Sequence, residues 1–189
     1  VTKPILLDFP DHIETARLII RALRPGDGPA INAAILETLD NLRPWMPWAQ
    51  ATPTVEDSEE YARSAAARFL KREELPMTFW RKSDGLFVGG IGLHRIDWTA
   101  RRFEIGYWVR ASLQGQGYVT EAVRGLTAFC FDMLGANRME IRCDALNTRS
   151  AAVAERCGYT LEARLHHWDC GVDGSLRDTL IYARFPTGR

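Results

Sequence analysis

Apolar and polar residues along the chain switch between two periods. In Arg102–Val109, Phe103, Ile105, Tyr107 and Val109 alternate with Arg102, Glu104, Gly106 and Trp108, the period of two that lays one face of a β-strand on a core. Met139, Ile141 and Cys143 alternate with Glu140, Arg142 and Asp144 in the same way. Helical spacing governs Val119, Ala122, Val123, Leu126, Cys130 and Met133, and Gly135 stops that helix. A second helical stripe, Tyr61, Ala62, Ala65 and Phe69, follows Thr54-Val-Glu-Asp57, a capping box with Asp in the usual Glu position. Its acids (Glu56, Asp57, Glu59, Glu60) precede its bases (Arg63, Arg68, Lys71, Arg72), as the helix dipole favours.

Weaker patterns fill in the rest. Arg17–Leu23 predicts a first strand, Pro25-Gly-Asp-Gly-Pro29 breaks it, and Ala30–Leu39 is mildly helical. Asn41–Trp48 holds two prolines and two tryptophans and suits a turn. Met77–Arg81 and Leu86–Ile96 predict strands around Ser83-Asp84-Gly85. Asn147–Arg156 predicts a short helix closed by Gly158, and Thr160–Trp168 and Ser175–Arg184 predict two strands joined near Asp173-Gly174. The order β-α-α-β-β-β-α-β-α-β-β implies a mixed α/β fold, with helices on the faces of a sheet that is not purely parallel.

Composition narrows the function classes. With 189 residues, 46% of them hydrophobic and 25% charged, the chain is expected to form one domain over 1–189 with a real core. Lys+Arg and Asp+Glu are 24 each, so no global basic field favours nucleic acid. No apolar run reaches the roughly 20 residues of a membrane helix, and Val1–Asp8 lacks the apolar core of a signal peptide. Cys130, Cys143, Cys157 and Cys170 form neither a CxxC nor a Cys/His cluster. They are expected to be reduced, mostly structural thiols in a cytoplasmic protein that binds no metal.

Chemistry concentrates at Gln114-Gly-Gln-Gly-Tyr118, between a strand and a helix. Glycines there permit a tight turn and a close backbone approach, and the first helical turn offers unpaired N–H groups to an anion such as a pyrophosphate. A dinucleotide fingerprint fails because Thr120 stands at its third glycine, and a P-loop fails for want of Gly-Lys-Ser/Thr.

Linked blocks make the reading specific. Glu104-Ile-Gly-Tyr-Trp-Val109, Gln114-Gly-Gln-Gly-Tyr-Val-Thr-Glu-Ala122, Asn147-Thr-Arg-Ser150, Ala154-Glu-Arg-Cys-Gly-Tyr159 and Leu161-Glu162 occur in that order. Together they resemble the GNAT superfamily of acyl-CoA-dependent N-acyltransferases. Thr15-Ala-Arg-Leu18 and the Trp45/Trp48 turn resemble its RimJ/RimL-type branch, the ribosomal-protein N-terminal acetyltransferases. The resemblance covers Glu14 to Phe185. It implies a mostly antiparallel, splayed sheet flanked by helices, acetyl-CoA as co-substrate (with a larger acyl group such as succinyl as the alternative), an amine acceptor such as a protein N-terminus or a small-molecule amine, and a homodimer.

The resemblance also implies roles. Gln114, Gly115, Gln116, Gly117, Tyr118, Val119 and Thr120 would hold the pyrophosphate. Trp108 and Val109 would face the pantetheine, with an N–H near Val109 polarising the thioester carbonyl. Asn147 would bind the pantetheine or hold the splay, and Ser150 would protonate the departing thiolate. Ser112 stands where the superfamily usually has Gln or Arg, so one phosphate contact is expected to be missing. The base is expected to be Asp169 or Glu104, with His94 a third, substrate-side candidate. Trp45 and Trp48 are expected to line the acceptor pocket or to anchor a loop. Cys157, with no adjacent histidine, is expected to be inert, and Arg142 and Arg149 to be solvated. A CoA-binding module without catalysis is the alternative.

Overall fold

In the computed structural model, which describes residues 3–187, the alternating and helical patterns become eight strands and four helices. The strands are β1 (His12–Glu14), β2 (Leu18–Ala22), β3 (Leu75–Arg81), β4 (Phe87–Asp97), β5 (Arg102–Val109), β6 (Arg138–Asp144), β7 (Thr160–Cys170) and β8 (Leu176–Arg184). The helices are α1 (Gly28–Leu42), α2 (Val55–Lys71), α3 (Tyr118–Asp132) and α4 (Thr148–Arg156). All strands join one sheet in the order β1-β2-β3-β4-β5-β6-β8-β7, and only β5 and β6 run parallel. The mixed, mostly antiparallel expectation therefore holds. None of the described helices is long and apolar enough to cross a membrane.

Burial follows the patterns that predicted the elements. Phe79, Phe103, Leu126 and Met139 are fully enclosed in the main core, where α3 packs on the sheet. A second cluster gathers Ile31, Ile35 and Leu39 of α1, Ala62 and Ala65 of α2, and Phe87 of β4. Three expectations need correction. β1 was not predicted: it is three residues long and exposes two of them, too short for a period to register. Tyr61 is 47% exposed, and the inward position of α2 belongs instead to Ser58, which is bound to Asn32. Met133, at the end of the α3 stripe, is 57% exposed because the helix has already ended at Asp132.

The capping box forms as predicted. Asp57 N–H donates to Thr54 Oγ1 at 3.0 Å, and Thr54 N–H donates to Asp57 Oδ2 at 2.8 Å. Asn32 of α1 donates to the carbonyls of Pro53 and Thr54, so the cap also fixes α2 against α1. Thr54→Ala is expected to cost about 1 kcal/mol and to lower the melting temperature by roughly 2–4 °C. A thermal scan showing no change would mean that the cap contributes nothing.

Candidate active site

The parallel pair β5–β6 is bonded at only three positions, Arg102↔Arg138, Phe103↔Met139 and Glu104↔Glu140. Beyond them β5 continues to Val109 and β6 to Asp144 without pairing to each other. Arg110 N–H donates to Val88 O on the β4 side. Strand alternation then turns the N–H groups of Tyr107 and Val109 the other way, into the gap. This gap is the floor of a cleft of about 1070 Å³.

At the mouth of the cleft, Gly115 (φ 73°) and Gly117 (φ 80°) adopt left-handed conformations that a side chain would strain. Gly117 caps α3, whose first-turn N–H groups have no partner within the helix. An acid in that turn would compete with a bound anion, yet Glu121 faces away. Its carboxylate accepts from Thr15 Oγ1 (2.6 Å), Arg17 N (2.7 Å) and Arg17 Nε (2.6 Å). These donors, with the Arg17 guanidinium, hold its carboxyl below the usual range against the opposing effect of burial. Arg17 also donates to Gln116 O and lies 4.4 Å above the Tyr118 ring, so it braces the glycine loop from outside.

The opposite wall is α4. Asn147 is its N-cap, accepting from Ser150 N–H at 3.1 Å. Ser150 Oγ lies 3.0 Å from Tyr107 Oη, and that hydroxyl also reaches Ser150 O at 3.1 Å. Burial pushes the Tyr107 phenol well above its ordinary value, so it stays protonated. Cys143, on the same wall, is pushed up to about 11 by burial. Cys157 is buried with its thiol 3.6 Å from Thr120 O, as expected of an inert cysteine. The four cysteines are free, and Cys170 is the exposed one.

The far end is aromatic and charged. Trp45 and Trp108 line it, and Trp108 lies on Gly90, where a Cβ would come within 2.4 Å of the indole Nε1. Glu104 pairs with Arg95 and Arg142, and Arg142 also pairs with the buried Glu140. Arg142 is thus part of a half-buried network at the point where the strands part, which corrects the solvated expectation. Arg149 is exposed and donates to Gln114 Oε1. Asp169 and Trp168 enter the cleft from a β-bulge in β7 between Leu165 and Asp169, with His167 at φ 50°. Bulges re-aim side chains in this way beside functional sites.

The cleft thus gathers Glu104, Trp108, Val109, Gln114, Gly115, Gly117, Tyr118, Val119, Thr120, Asn147, Ser150, Asp169 and Trp45. Three expected residues fall outside its lining. Gln116 turns its amide to Ser112 O, Trp48 is exposed and leans on Trp108, and His94 covers Gly106 and approaches Glu74. The hydroxyl of Tyr107 was missed because its place in the alternation reads as core. The brace of Glu121 was missed because its partners lie more than a hundred residues away.

The bulge that carries Asp169 hangs on Asp178 of β8. Asp178 accepts from His167 N–H, Arg164 Nε and His166 Nδ1. These donors lower its pKa from 3.8 to about 2, the His167 N–H foremost. A depressed carboxyl stabilises the fold above its unfolded value and loses that contribution as pH falls through its folded value. Stability is therefore expected to decline between about pH 4 and pH 2, and Asp178→Asn to flatten that decline. Denaturation midpoints measured across this range with an unchanged slope in the variant would contradict the assignment.

Comparison with known proteins agrees with this geometry. Residues 17–160 match the model of the acetyltransferase (GNAT) domain. The ribosomal-protein-serine acetyltransferase of Escherichia coli (strain K12) is 30% identical over 137 residues, which is 72% of this chain and 75% of that protein. Two solved structures share the fold. The self-immunity acetyltransferase MccE, in complex with acetyl-CoA and AMP, superposes with a TM-score of 0.86 at 24% identity, covering 94% of this chain and 98% of that one. RimL, a ribosomal α-N-protein acetyltransferase in complex with coenzyme A, gives 0.85 at 23%, covering 92% and 97%. A strand pair that parts over a glycine-capped helix start, on a chain matching this domain over most of its length, belongs to the GNAT acetyltransferase family.

Proposed function

We propose that the chain transfers the acetyl group of acetyl-CoA to a primary amine, with a protein N-terminal α-amine as acceptor, by direct attack in a ternary complex. The observation that carries this reading is the parting of β5 from β6 beside the Gly115–Gly117 loop. A pyrophosphate suits the first turn of α3, and an extended pantetheine suits the free strand edge, which leaves the thioester at the cleft floor. The related ribosomal-protein-serine acetyltransferase supports a protein acceptor.

The amine nitrogen forms a bond to the carbonyl carbon, and the carbon–sulfur bond then breaks. The Val109 N–H is placed to stabilise the oxyanion as it develops. Ser150, linked to the Tyr107 hydroxyl, supplies a proton to the leaving thiolate and regains one from solvent, to which the amine proton is finally released. Three carboxylates line the cleft. Glu104 is held by Arg95 and Arg142, and Asp144 accepts from the Leu146 N–H with Arg177 at 3.9 Å, whereas Asp169 accepts from the Cys170 N–H and has no ion pair among the described residues. Asp169 is therefore assigned as the base that takes the amine proton, directly or through one water.

The test is release of CoA thiol with acetyl-CoA and a panel of peptides and small amines. Asp169→Asn is expected to lower kcat/KM for the amine by roughly 10²–10⁴-fold with acetyl-CoA binding retained. Ser150→Ala is expected to lower kcat and leave acetyl-CoA binding unchanged. Tight CoA binding without turnover of any amine would instead identify a silent CoA-binding module.

A further inference from the structure

His166, His167 and Trp168 of β7 lie against a single residue of β8, Asp178, between the bonded pairs Leu165↔Thr179 and Asp169↔Arg177. A bulge of this kind leaves backbone groups without ladder partners. Its middle residue, His167, sits at φ 50°, a left-handed conformation that a residue with a Cβ rarely adopts. Such strain persists only where surrounding contacts over-determine it. The Asp178 carboxylate supplies those contacts. Its Oδ1 accepts from the His167 N–H at 3.0 Å, and its Oδ2 accepts from Arg164 Nε at 2.8 Å and lies 3.0 Å from His166 Nδ1. One oxygen thus takes the place of the missing ladder partner, and the other gathers the two side chains that lead into the bend.

Asp178 also reaches the opposite wall. Its carbonyl accepts from the Ala145 N–H at 2.9 Å, where the chain leaves β6 for α4. Arg177 and Thr179 line the cleft and Asp178 between them does not, as alternation along β8 requires. Asp169 follows the bend by two residues. Among the described residues its carboxylate is held by one bond, from the Cys170 N–H at 2.8 Å, so the backbone that carries it sets its direction. We propose that Asp178 is a positioning residue for acetyl transfer: it fixes the bulge that aims the Asp169 carboxylate into the cleft and touches neither the donor nor the amine. This inference rests on the assignment of Asp169 as the base.

The experiment is a double-mutant cycle at neutral pH. The kcat with a peptide amine and the dissociation constant of acetyl-CoA are measured in the wild-type protein, Asp178→Ala, Asp169→Asn and the double variant. Asp178→Ala is expected to lower kcat by roughly 10–10²-fold, the effect of misplacing a reacting group by about 1 Å, with acetyl-CoA binding unchanged. In the Asp169→Asn background the same replacement is expected to lower kcat by less than about twofold, because the group it aims is already gone. Asp178→Asn keeps an oxygen for the His167 N–H and is expected to recover most of the loss. Additive losses in the double variant, or acetyl-CoA binding that weakens along with kcat, reveal general damage to the fold and overturn the inference. Should Asp178→Ala fail to fold, Arg164→Gln decides, since that side chain is 56% exposed and gives up one bond of the three. A fall in kcat of about two- to fourfold that vanishes in the Asp169→Asn background supports the inference, and an unchanged kcat overturns it. Normal turnover by Asp178→Ala beside a crippled Asp169→Asn removes the positioning role alone. Normal turnover by Asp169→Asn removes the base assignment and the inference with it.

Discussion

Two parallel strands that stop bonding to each other after three residues create everything on which the site depends. Within a sheet, an edge that turns its N–H and C=O groups into a gap costs free energy unless something pairs with it. Here the cost is confined to the C-terminal ends of β5 and β6, where the helices that follow, α3 and α4, begin. The gap, the helix start beyond β5 and the helix start beyond β6 therefore open on the same side. One extended ligand can pair with a strand edge and place an anionic group on a helix terminus without bending back.

Ion pairs gather at the point where the strands part. Glu140 is buried at the last bonded position of the pair, and Arg138 and Arg142 hold its carboxyl below the usual range although burial acts in the other direction. Arg142 extends the network to Glu104, and Arg138 extends it to Glu162 on the neighbouring hairpin. Removing one member of such a network leaves the others charged and poorly solvated, so its cost exceeds that of any single surface pair. The same accounting separates the carboxylates of the cleft. Glu104 and Asp144 are engaged with guanidiniums, and Asp169, carried on a bulge, is not.

Much of this was legible in the sequence because it is local. The period of two in β5 and β6, the Thr54–Asp57 capping box and the glycines before α3 act over a few residues and write their own signatures. What was not legible depends on contacts distant in sequence. His94 reads as a cleft residue by strand position, but it lies across Gly106, where a Cβ would come within 3.0 Å of its ring, and turns to Glu74. Arg142 reads as an outward strand charge until β5 brings Glu104 beside it. The bulge in β7 shifts register after Leu165, and a two-residue period cannot anticipate which side chains then turn inward.

Glu121 has a consequence for the sheet edge. By accepting from Thr15 and Arg17 it fastens the turn between β1 and β2 to the helix that follows the Gly115–Gly117 loop. The outermost strand pair and the first turn of α3 are then thermodynamically linked. Whatever settles on the first turn of α3 raises the free energy needed to peel β1 and β2 away, and an intact edge in turn holds the loop in its binding shape. Amide exchange at that edge thereby becomes a gauge of occupancy at the first turn of α3.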